Sequence, residues 1–307
     1  MNKKIKILQG NCIDKIKELE DNSIDCVVSS PPYFGLRDYG TNEQFGLEKT
    51  YQDYLSNTVK VFETFKPKLK DTATIWWNVG DSYSSGSRTS TTNQSLRGNK
   101  DYGVTRTPVQ KGIKEKDLLM IPNRVAIALQ DSGWYIRSEI IWHKPNPMPE
   151  SVRDRPTSCH EKIWLITKNK KYYYDHEAIK EPAKDWGKRD RKKGSAFVDG
   201  TPGRSKQSGG KDCNFAEKGR NKRNVWTITT KPFKGSHFAT FPKDLIEPCI
   251  KAGCPEDGIV LDPFGGAGTT GIVASLNNRN SILIELNPEY IKLAKDRIEK
   301  ELGLFNG

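Results

Sequence analysis

The chain has 307 residues, of which 35% are hydrophobic and 29% charged, and its mean hydropathy is −0.72. No apolar run approaches the roughly 20 residues of a membrane span, and residues 1–4 lead into residues 5–8 without a signal-peptide core, so we expect a cytoplasmic protein with no membrane partner. The net charge of +12 and the pI near 9.3 favour a polyanionic partner, with nucleic acid first.

The six cysteines form no pattern typical of a metal site or a disulfide framework. No Cys-x-x-Cys pair occurs, although such pairs mark most zinc sites and redox motifs. We therefore expect reduced structural thiols and no bound metal. The cysteines are Cys12, Cys26, Cys159, Cys213, Cys249 and Cys254.

Residues 5–33 are predicted to form a strand, a helix and a second strand that ends in a stiff polar turn. Ligands of open α/β sheets bind at the carboxyl ends of strands, where this turn, Ser30-Pro31-Pro32-Tyr33, stands. Proline has no N–H, so the carbonyls of Ser30 and Pro31 are expected to stay free to accept hydrogen bonds. With the Ser30 hydroxyl and the Tyr33 ring, they suit an exocyclic amine on a flat aromatic base. The alternative is a structural proline-rich loop.

The middle of the chain reads as alternating helices, strands and loops. A loop over 34–40, with Arg37, is expected to close over a ligand and to contact DNA. The segment 84–116 lacks periodicity and is predicted to be a flexible loop that orders on DNA. His160 stands just before a strand, where a role near a target base competes with a structural one. The other predicted elements are helices over 54–69 and 122–130 and strands over 73–79, 134–142 and 161–167, with Trp76 and Trp77 in the core.

Residues 180–224 carry most of the excess positive charge. Fourteen Lys and Arg against six acidic residues give a local net charge of +8. Such a run is often a solvated linker, but we interpret 181–224 as a target-recognition insert that binds DNA phosphates. The basic residues assigned to DNA there are Lys188, Arg189, Arg191, Lys192, Lys193, Arg220, Lys222 and Arg223.

A buried strand over 259–261 is followed by a glycine-rich turn and a helix from Thr269 through Leu276. Gly266-x-Gly268-x-x-Gly271 matches the dinucleotide-binding fingerprint, and Glu285 follows the next strand at about 20 residues, where a carboxylate holds ribose hydroxyls. Asp262 would repel a pyrophosphate, so a ligand with an amine, such as the methionine part of S-adenosylmethionine, fits better than NAD. An NAD-dependent enzyme remains the alternative.

The position of this motif requires a circular order of the sheet. Only one strand (281–284) and one helix (from Pro288 to about residue 302) can follow it, whereas a doubly wound sheet needs several more parallel strands. We therefore expect an α/β fold with a mostly parallel, doubly wound sheet. Residues 1–180 and 225–307 would form one domain, and its nucleotide-binding half comes last in sequence.

Several motifs together resemble a known family, the DNA amino-methyltransferases that act on N4 of cytosine or N6 of adenine. The turn Ser30-Pro31-Pro32-Tyr33 resembles their catalytic motif, and Asp262-Pro263-Phe264-Gly265-Gly266-Ala267-Gly268 resembles their cofactor motif. Their order, catalytic motif first, resembles the permuted β class. The resemblance covers nearly the whole chain outside 84–116 and 181–223, and includes the stretches 74–83, 139–147, 155–161 and 231–242.

The resemblance implies a Rossmann-like methyltransferase with S-adenosyl-L-methionine as cofactor. Asp262 and the 264–268 backbone would hold the methionine end, Glu285 the ribose, and the residues after strands 5–8 and 281–284 the adenine. The family usually has Asp where Asn11 stands. The residues implied in cofactor binding are Asn11, Cys12, His237, Phe238, Ala239, Thr240, Pro242, Asp262, Pro263, Phe264, Gly266, Gly268, Glu285, Asn287 and Pro288.

The same resemblance implies transfer of a methyl group to an exocyclic amine in double-stranded DNA, with the target base flipped out of the helix. Ser30, Pro31, Pro32 and Tyr33 would be the catalytic residues, and serine at the first position favours N4 of cytosine over N6 of adenine. The alternatives are N6-adenine methylation, a non-catalytic DNA-binding protein, and an RNA or protein substrate. A homodimer, a cognate restriction endonuclease and association with the nucleoid are also consistent with this family.

Overall fold

The computed structural model describes residues 3–36, 44–84, 110–182, 219–230 and 241–303. The chain divides into two compact units. The first consists of Met1–Asp175 and Asn224–Gly307, and the second of His176–Arg223.

The described part of the first unit contains an eight-stranded sheet with the order β1-β8-β7-β2-β3-β5-β4-β6. Every pairing is parallel except those of β5, which is antiparallel to both of its neighbours. A doubly wound, mostly parallel sheet was the expectation from the sequence, and it is confirmed. The strands are β1 (Ile5–Gln9), β2 (Ile24–Ser29), β3 (Leu69–Val79), β4 (Tyr135–His143), β5 (His160–Thr167), β6 (Val225–Thr227), β7 (Ile259–Asp262) and β8 (Asn280–Glu285).

Three of the helices in the described ranges begin after a residue whose side chain caps them. Asn11 and Asn287 each accept a hydrogen bond from the backbone N–H two residues on, and Thr50 accepts one from Asp53. None of the described helices is long and apolar enough to cross a membrane. They are α1 (Cys12–Lys17), α2 (Tyr51–Phe65), α3 (Ile121–Asp131), α4 (Lys243–Gly253), α5 (Thr269–Leu276) and α6 (Pro288–Leu302).

Alternating residues of the central strands pack against helices on opposite faces of the sheet, as the two-residue period of a strand requires. On one face, Ile75 and Trp77 of β3 join a core with residues of α1, α2 and α3. On the other face, Thr74 and Trp76 lie so close to Gly253 of α4 that a Cβ atom there would be 2.4 and 2.3 Å from them. Trp76 and Trp77 are 2% and 0% exposed, as expected for core residues.

The pairing of strands from distant parts of the chain confirms the circular order. β1 pairs with β8 in the register Gln9 to Glu285, and β2 pairs with β7 in the register Val27 to Leu261. The strands near the two ends of the sequence are therefore neighbours in one sheet.

Some boundaries differ from the expectations. The helix predicted over 54–69, with Pro67 among the residues that end it, begins at Tyr51 and ends at Phe65, and Leu69 instead begins β3. Of the segment 84–116, residues 85–109 lie outside the described residues, whereas Ser84 forms backbone hydrogen bonds with Lys116 and Asp117.

The second unit, in its described residues, contains a short 3-10 helix (Glu177–Ile179) and a bridge between Glu181 and Arg220. The Glu181 carboxylate lies 3.2 Å from Nε of Arg220 and 3.0 Å from Nε of Arg223, and Lys180 pairs with Glu177.

Candidate active site

The carboxyl ends of β1, β8, β7 and β2 lie side by side at one edge of the sheet. Gln9 of β1 is opposite Glu285 of β8, and Asp262 of β7 is opposite Leu283. Because the strands are parallel, their carboxyl ends open on the same side, where open α/β sheets bind ligands. The polar residues predicted to act together are thereby brought together.

A buried hydrogen bond joins the residue just before the predicted catalytic turn to the first residue of the predicted cofactor turn. Ser29 donates through Oγ to Oδ1 of Asp262 at 2.6 Å, although the two residues are 233 positions apart. Thr270 donates to Oδ2 at 2.6 Å, and the Phe264 N–H donates to Oδ1. Burial raises the pKa of Asp262, and these three hydrogen bonds oppose the rise. The Asp262 carboxylate therefore holds the two turns beside each other.

The glycine turn packs closely against β8. A Cβ atom at Gly265 would lie 2.9 Å from Cβ of Leu283, so a larger residue would push the turn away from the strand. Gly268 has φ of +76°, a left-handed conformation that favours glycine, and it is the residue from which α5 begins. Gly265 and Gly268 thus set the backbone path.

Glu285 stands at the end of β8 with its carboxylate held by the backbone. Oε2 accepts from the Gly266 N–H and Oε1 from the Asn287 N–H, both at 2.8 Å. Burial raises the pKa of Glu285, while these hydrogen bonds lower it. Each carboxylate oxygen can accept a second hydrogen bond, so Glu285 can still accept from ribose hydroxyls.

A cavity of about 290 Å³ lies at this edge of the sheet, at the lower end of the volumes typical of small-molecule sites. Among residues predicted for the site, it is lined by Asn11, Cys12, Ser30, Pro32, Asp262, Pro263, Phe264, Gly266, Glu285 and Asn287. Lining residues that were not predicted include Ile13, Gln44, Phe45, Glu48, Asn57, Phe241, Thr269, Thr270, Leu286 and Tyr290.

The remaining predicted site residues do not line this cavity or lie outside the described residues. Pro242 is the residue from which α4 begins, and Pro288 is the first residue of α6. The cavity wall contains neither of these two prolines, nor Gly268, Pro31 or Tyr33. Predicted site residues outside the described ranges are His237, Phe238, Ala239, Thr240, Arg37, Lys188, Arg189, Arg191, Lys192 and Lys193.

Tyr33 is fixed by its hydroxyl and by its ring. The hydroxyl donates to Oε2 of Glu161 at 2.6 Å and accepts from Ser30 at 3.2 Å. A Cβ atom at Gly80 would lie 2.5 Å from Cε2 of Tyr33, so the ring occupies the space that a side chain there would need. Burial, followed by the charge of Glu161, raises the pKa of Tyr33 well above its usual range. The hydroxyl therefore stays protonated at neutral pH.

Glu161 is a residue that the sequence interpretation missed. Its Oε1 pairs with Lys144, whose ammonium lies 4.4 Å from the centre of the Trp142 ring, and its Oε2 also accepts from Asn78 Nδ2 at 3.2 Å. The neighbouring His160, which was considered for this region, is exposed at the start of β5. Because alternate residues of a strand face opposite sides, Glu161 reaches Tyr33 from that position.

Cys12 lies on the cavity wall near the adenine end predicted from the sequence. Burial raises the pKa of its thiol to about 12. The thiol is therefore neutral near pH 7 and provides packing surface rather than a nucleophile. In the ranges that the structure describes, no group of three or more His, Cys, Asp or Glu residues could hold a metal ion.

The basic residues of the second unit are only partly described. Arg220 and Arg223 share Glu181, and the Arg223 side chain remains 66% exposed. Their assignment to DNA, together with that of Lys222, stays a prediction.

The residues at the edge of the sheet fit S-adenosylmethionine. The cavity combines a carboxylate at the end of β8, suited to a ribose, with a glycine turn and the aromatic rings of Phe45 and Phe264. A parallel α/β sheet with this arrangement defines a methyltransferase of the S-adenosylmethionine-dependent class.

The chain belongs to the N6/N4 DNA methylase family, whose model, described as "DNA methylase", matches residues 24–296. It is 46% identical over 294 residues to the Type II methyltransferase M.SmaI of Serratia marcescens, covering 95% of this chain and 90% of that protein. It is 43% identical over 295 residues to the Type II methyltransferase M.Cfr9I of Citrobacter freundii, covering 96% and 88%. S-adenosylmethionine is the cofactor, as the resemblance implied.

Solved structures share the fold. The PvuII DNA methyltransferase, described as cytosine-N4-specific, matches with a TM-score of 0.65 at 19% identity, covering 100% of this chain and 93% of that one. A putative DNA modification methylase of Thermus thermophilus in complex with S-adenosyl-L-methionine matches with a TM-score of 0.59 at 19% identity, covering 98% and 97%.

Proposed function

We propose that this chain is a Type II modification methyltransferase that methylates N4 of cytosine at a specific site in duplex DNA. The Type II relatives that it matches along most of their length support the modification role. The observation that carries the choice of base is Ser30 at the first position of the catalytic turn, on the wall of the cofactor cavity. N6 of adenine is the alternative target within the same family.

The hydrogen bonds of the turn support a role for Ser30 as an acceptor from an amine. The Ser30 hydroxyl donates a hydrogen bond to the Tyr33 hydroxyl, which in turn donates one to the Glu161 carboxylate. With its proton directed this way, Ser30 Oγ keeps lone pairs available to accept from an amine. The Pro31 carbonyl would accept the second N–H, and the Tyr33 ring would stack on the base.

An exocyclic amine lies inside the duplex, so the target base must be flipped out before it can reach Ser30. Hydrogen bonds from the amine to Ser30 and Pro31 would draw the nitrogen lone pair out of conjugation with the ring. S-adenosylmethionine supplies an electrophilic methyl group on its sulfonium. The amine nitrogen would take this methyl group as the carbon–sulfur bond breaks, and the amine would release one proton to solvent. The protein contributes mainly by positioning.

The base assignment is tested by methylating duplex DNA with isotopically labelled cofactor and digesting the product to nucleosides. We expect the label in N4-methyldeoxycytidine, separated chromatographically from the C5-methyl isomer of equal mass. Label in N6-methyldeoxyadenosine would overturn the assignment. A reaction with Ser30→Ala is the matched control and should incorporate far less label.

The modification role and the DNA substrate are tested in cells. We expect genomic DNA from cells expressing the chain to carry the mark at one short sequence, and to resist an endonuclease that cleaves there. Competition by duplex RNA as strong as that by duplex DNA would contradict the proposed substrate. A cognate endonuclease and a homodimer remain proposals, and light scattering of the purified protein tests the second.

A further inference from the structure

A carboxylate that the methyl-transfer step does not use lies on the wall of the cofactor cavity. Glu48 is half-buried there. Its Oε1 accepts from Asn57 Nδ2 at 3.1 Å, and its Oε2 accepts from the Gly46 N–H at 3.0 Å. No Lys or Arg of the described ranges forms an ion pair with it. The side chain is therefore positioned by two neutral donors, with no cation of the described ranges paired to it.

Neighbouring contacts place Glu48 beside the catalytic turn. The Gly46 carbonyl accepts from the Gly35 N–H at 2.8 Å, and a Cβ atom at Gly46 would lie 3.0 Å from Cβ of Pro32. The Phe45 ring packs on Phe264 of the glycine turn with centroids 5.4 Å apart. The segment that carries Glu48 therefore spans the region between the catalytic turn and the glycine turn.

Glu285 marks the opposite side of the cavity. It ends β8, whereas the catalytic turn follows β2, and β7 lies between these two strands. Neighbouring strands are roughly 4.8 Å apart, so the two sides are separated by about 10 Å. A cofactor with its ribose at Glu285 would therefore direct its methionine part towards the β2 side, where Glu48 lies.

We propose that Glu48, positioned by Asn57 and Gly46, binds the α-ammonium group of the methionine part of the cofactor. A carboxylate and an ammonium form a charge-assisted hydrogen bond, which is stronger than a neutral one. A carboxylate at this position would also stabilise the positive charge of the nearby sulfonium. The proposal rests on the placement of the ribose at Glu285 and not on which base is methylated.

The test compares two ligands that differ at the proposed contact, with binding measured by calorimetry without DNA. S-adenosylhomocysteine carries the amino-acid group, and 5′-methylthioadenosine lacks it. Glu48→Gln keeps the shape of the side chain and removes its charge; its one amide oxygen can still accept from either Asn57 or Gly46. We expect it to weaken S-adenosylhomocysteine binding by about tenfold or more and to leave 5′-methylthioadenosine binding within about twofold of the parent.

Two further variants complete the test. Glu63→Gln, an exposed residue on α2, removes the same charge away from the cavity and should change neither affinity. Glu285→Gln should weaken both ligands, because both carry the ribose. The proposal would be overturned if Glu48→Gln lost equal affinity for both ligands, or lost no affinity for S-adenosylhomocysteine. Unchanged 5′-methylthioadenosine binding in Glu285→Gln would overturn it too, since the assumed orientation would be wrong.

Discussion

At the scale of single residues, Tyr33, which is predicted to be catalytic, is held from two directions. Its hydroxyl reaches the Glu161 carboxylate at 2.6 Å and its ring lies against Gly80. Such contacts fix where a stacked base would lie, so they should affect the chemical step more than cofactor binding.

Removing the Tyr33–Glu161 hydrogen bond should slow methylation. We expect Tyr33→Phe and Glu161→Ala each to lower kcat about tenfold, the equivalent of one positioning interaction of about 1.4 kcal/mol. The affinity for S-adenosylhomocysteine should stay unchanged. Because both variants break the same bond, the double variant should be no slower than the slower single one. Single-turnover rates measure this, and additive losses would show that the two residues act separately.

Glu285 should make cofactor binding dependent on pH. Burial raises the pKa of its carboxyl in the ligand-free protein. Ribose hydroxyls donate to the charged form, so binding favours deprotonation and affinity should fall as pH drops through the raised pKa. Calorimetry with S-adenosylhomocysteine between about pH 5 and 8 would show weaker binding at the acid end. Glu285→Gln should bind weakly with little pH dependence, and an equally steep profile in that variant would assign the titration to another group.

At the scale of elements, the buried Asp262 connects β7, β2 and α5. Ser29 and Thr270 each donate to it at 2.6 Å. The free energy of unfolding should therefore depend on both hydroxyls.

We expect Ser29→Ala and Thr270→Val each to lower the free energy of unfolding by about 1–3 kcal/mol, because each leaves a buried carboxylate short of a donor. Loss of a donor should raise the pKa of Asp262 further. A raised pKa in the folded state costs stability as pH rises, so the loss should be larger at about pH 8 than at about pH 5. Urea unfolding at both pH values measures this. Thr64→Val, whose hydroxyl bonds Lys60 O on the exposed side of α2, should change stability by less than about 0.5 kcal/mol.

The sequence was most informative where a motif is continuous along the chain. The glycine turn, Glu285 and the catalytic turn could be predicted because each follows a strand, and parallel strands bring their ends together. The circular order followed from how few elements come after the glycine turn. Glu48 and Asn57 could not be found in this way, because they meet the site only through contacts between a loop and α2. Glu161 was not predicted, because the neighbouring His160 was considered for this region instead.

At the scale of the whole molecule, the positive charge is concentrated in one stretch of the sequence. Residues 180–224 contribute +8 of the total of +12. Contacts with DNA phosphates release counterions, so the affinity should fall steeply with salt.

Neutralising part of this charge should reduce the salt dependence. If Lys192 and Lys193 each contact one phosphate, replacing both with Gln should lower the slope of log K against log salt by about 2 in magnitude. Fluorescence anisotropy with a labelled duplex measures the slope. The pair Lys17→Gln and Lys60→Gln removes the same charge from exposed positions on α1 and α2 and should leave the slope unchanged. An equal change of slope in the two double variants would mean that the salt dependence follows the total charge of the protein and not contacts made by Lys192 and Lys193.

The pairing of β1 with β8 has a consequence for synthesis of the protein. A ribosome completes the predicted catalytic turn about 250 residues before it completes the strand that ends at Glu285. A nascent chain therefore contains the turn proposed to bind the amine long before it contains the carboxylate proposed to hold the cofactor ribose. We expect products that terminate before Glu285 to bind no methyl donor and to leave DNA unmodified.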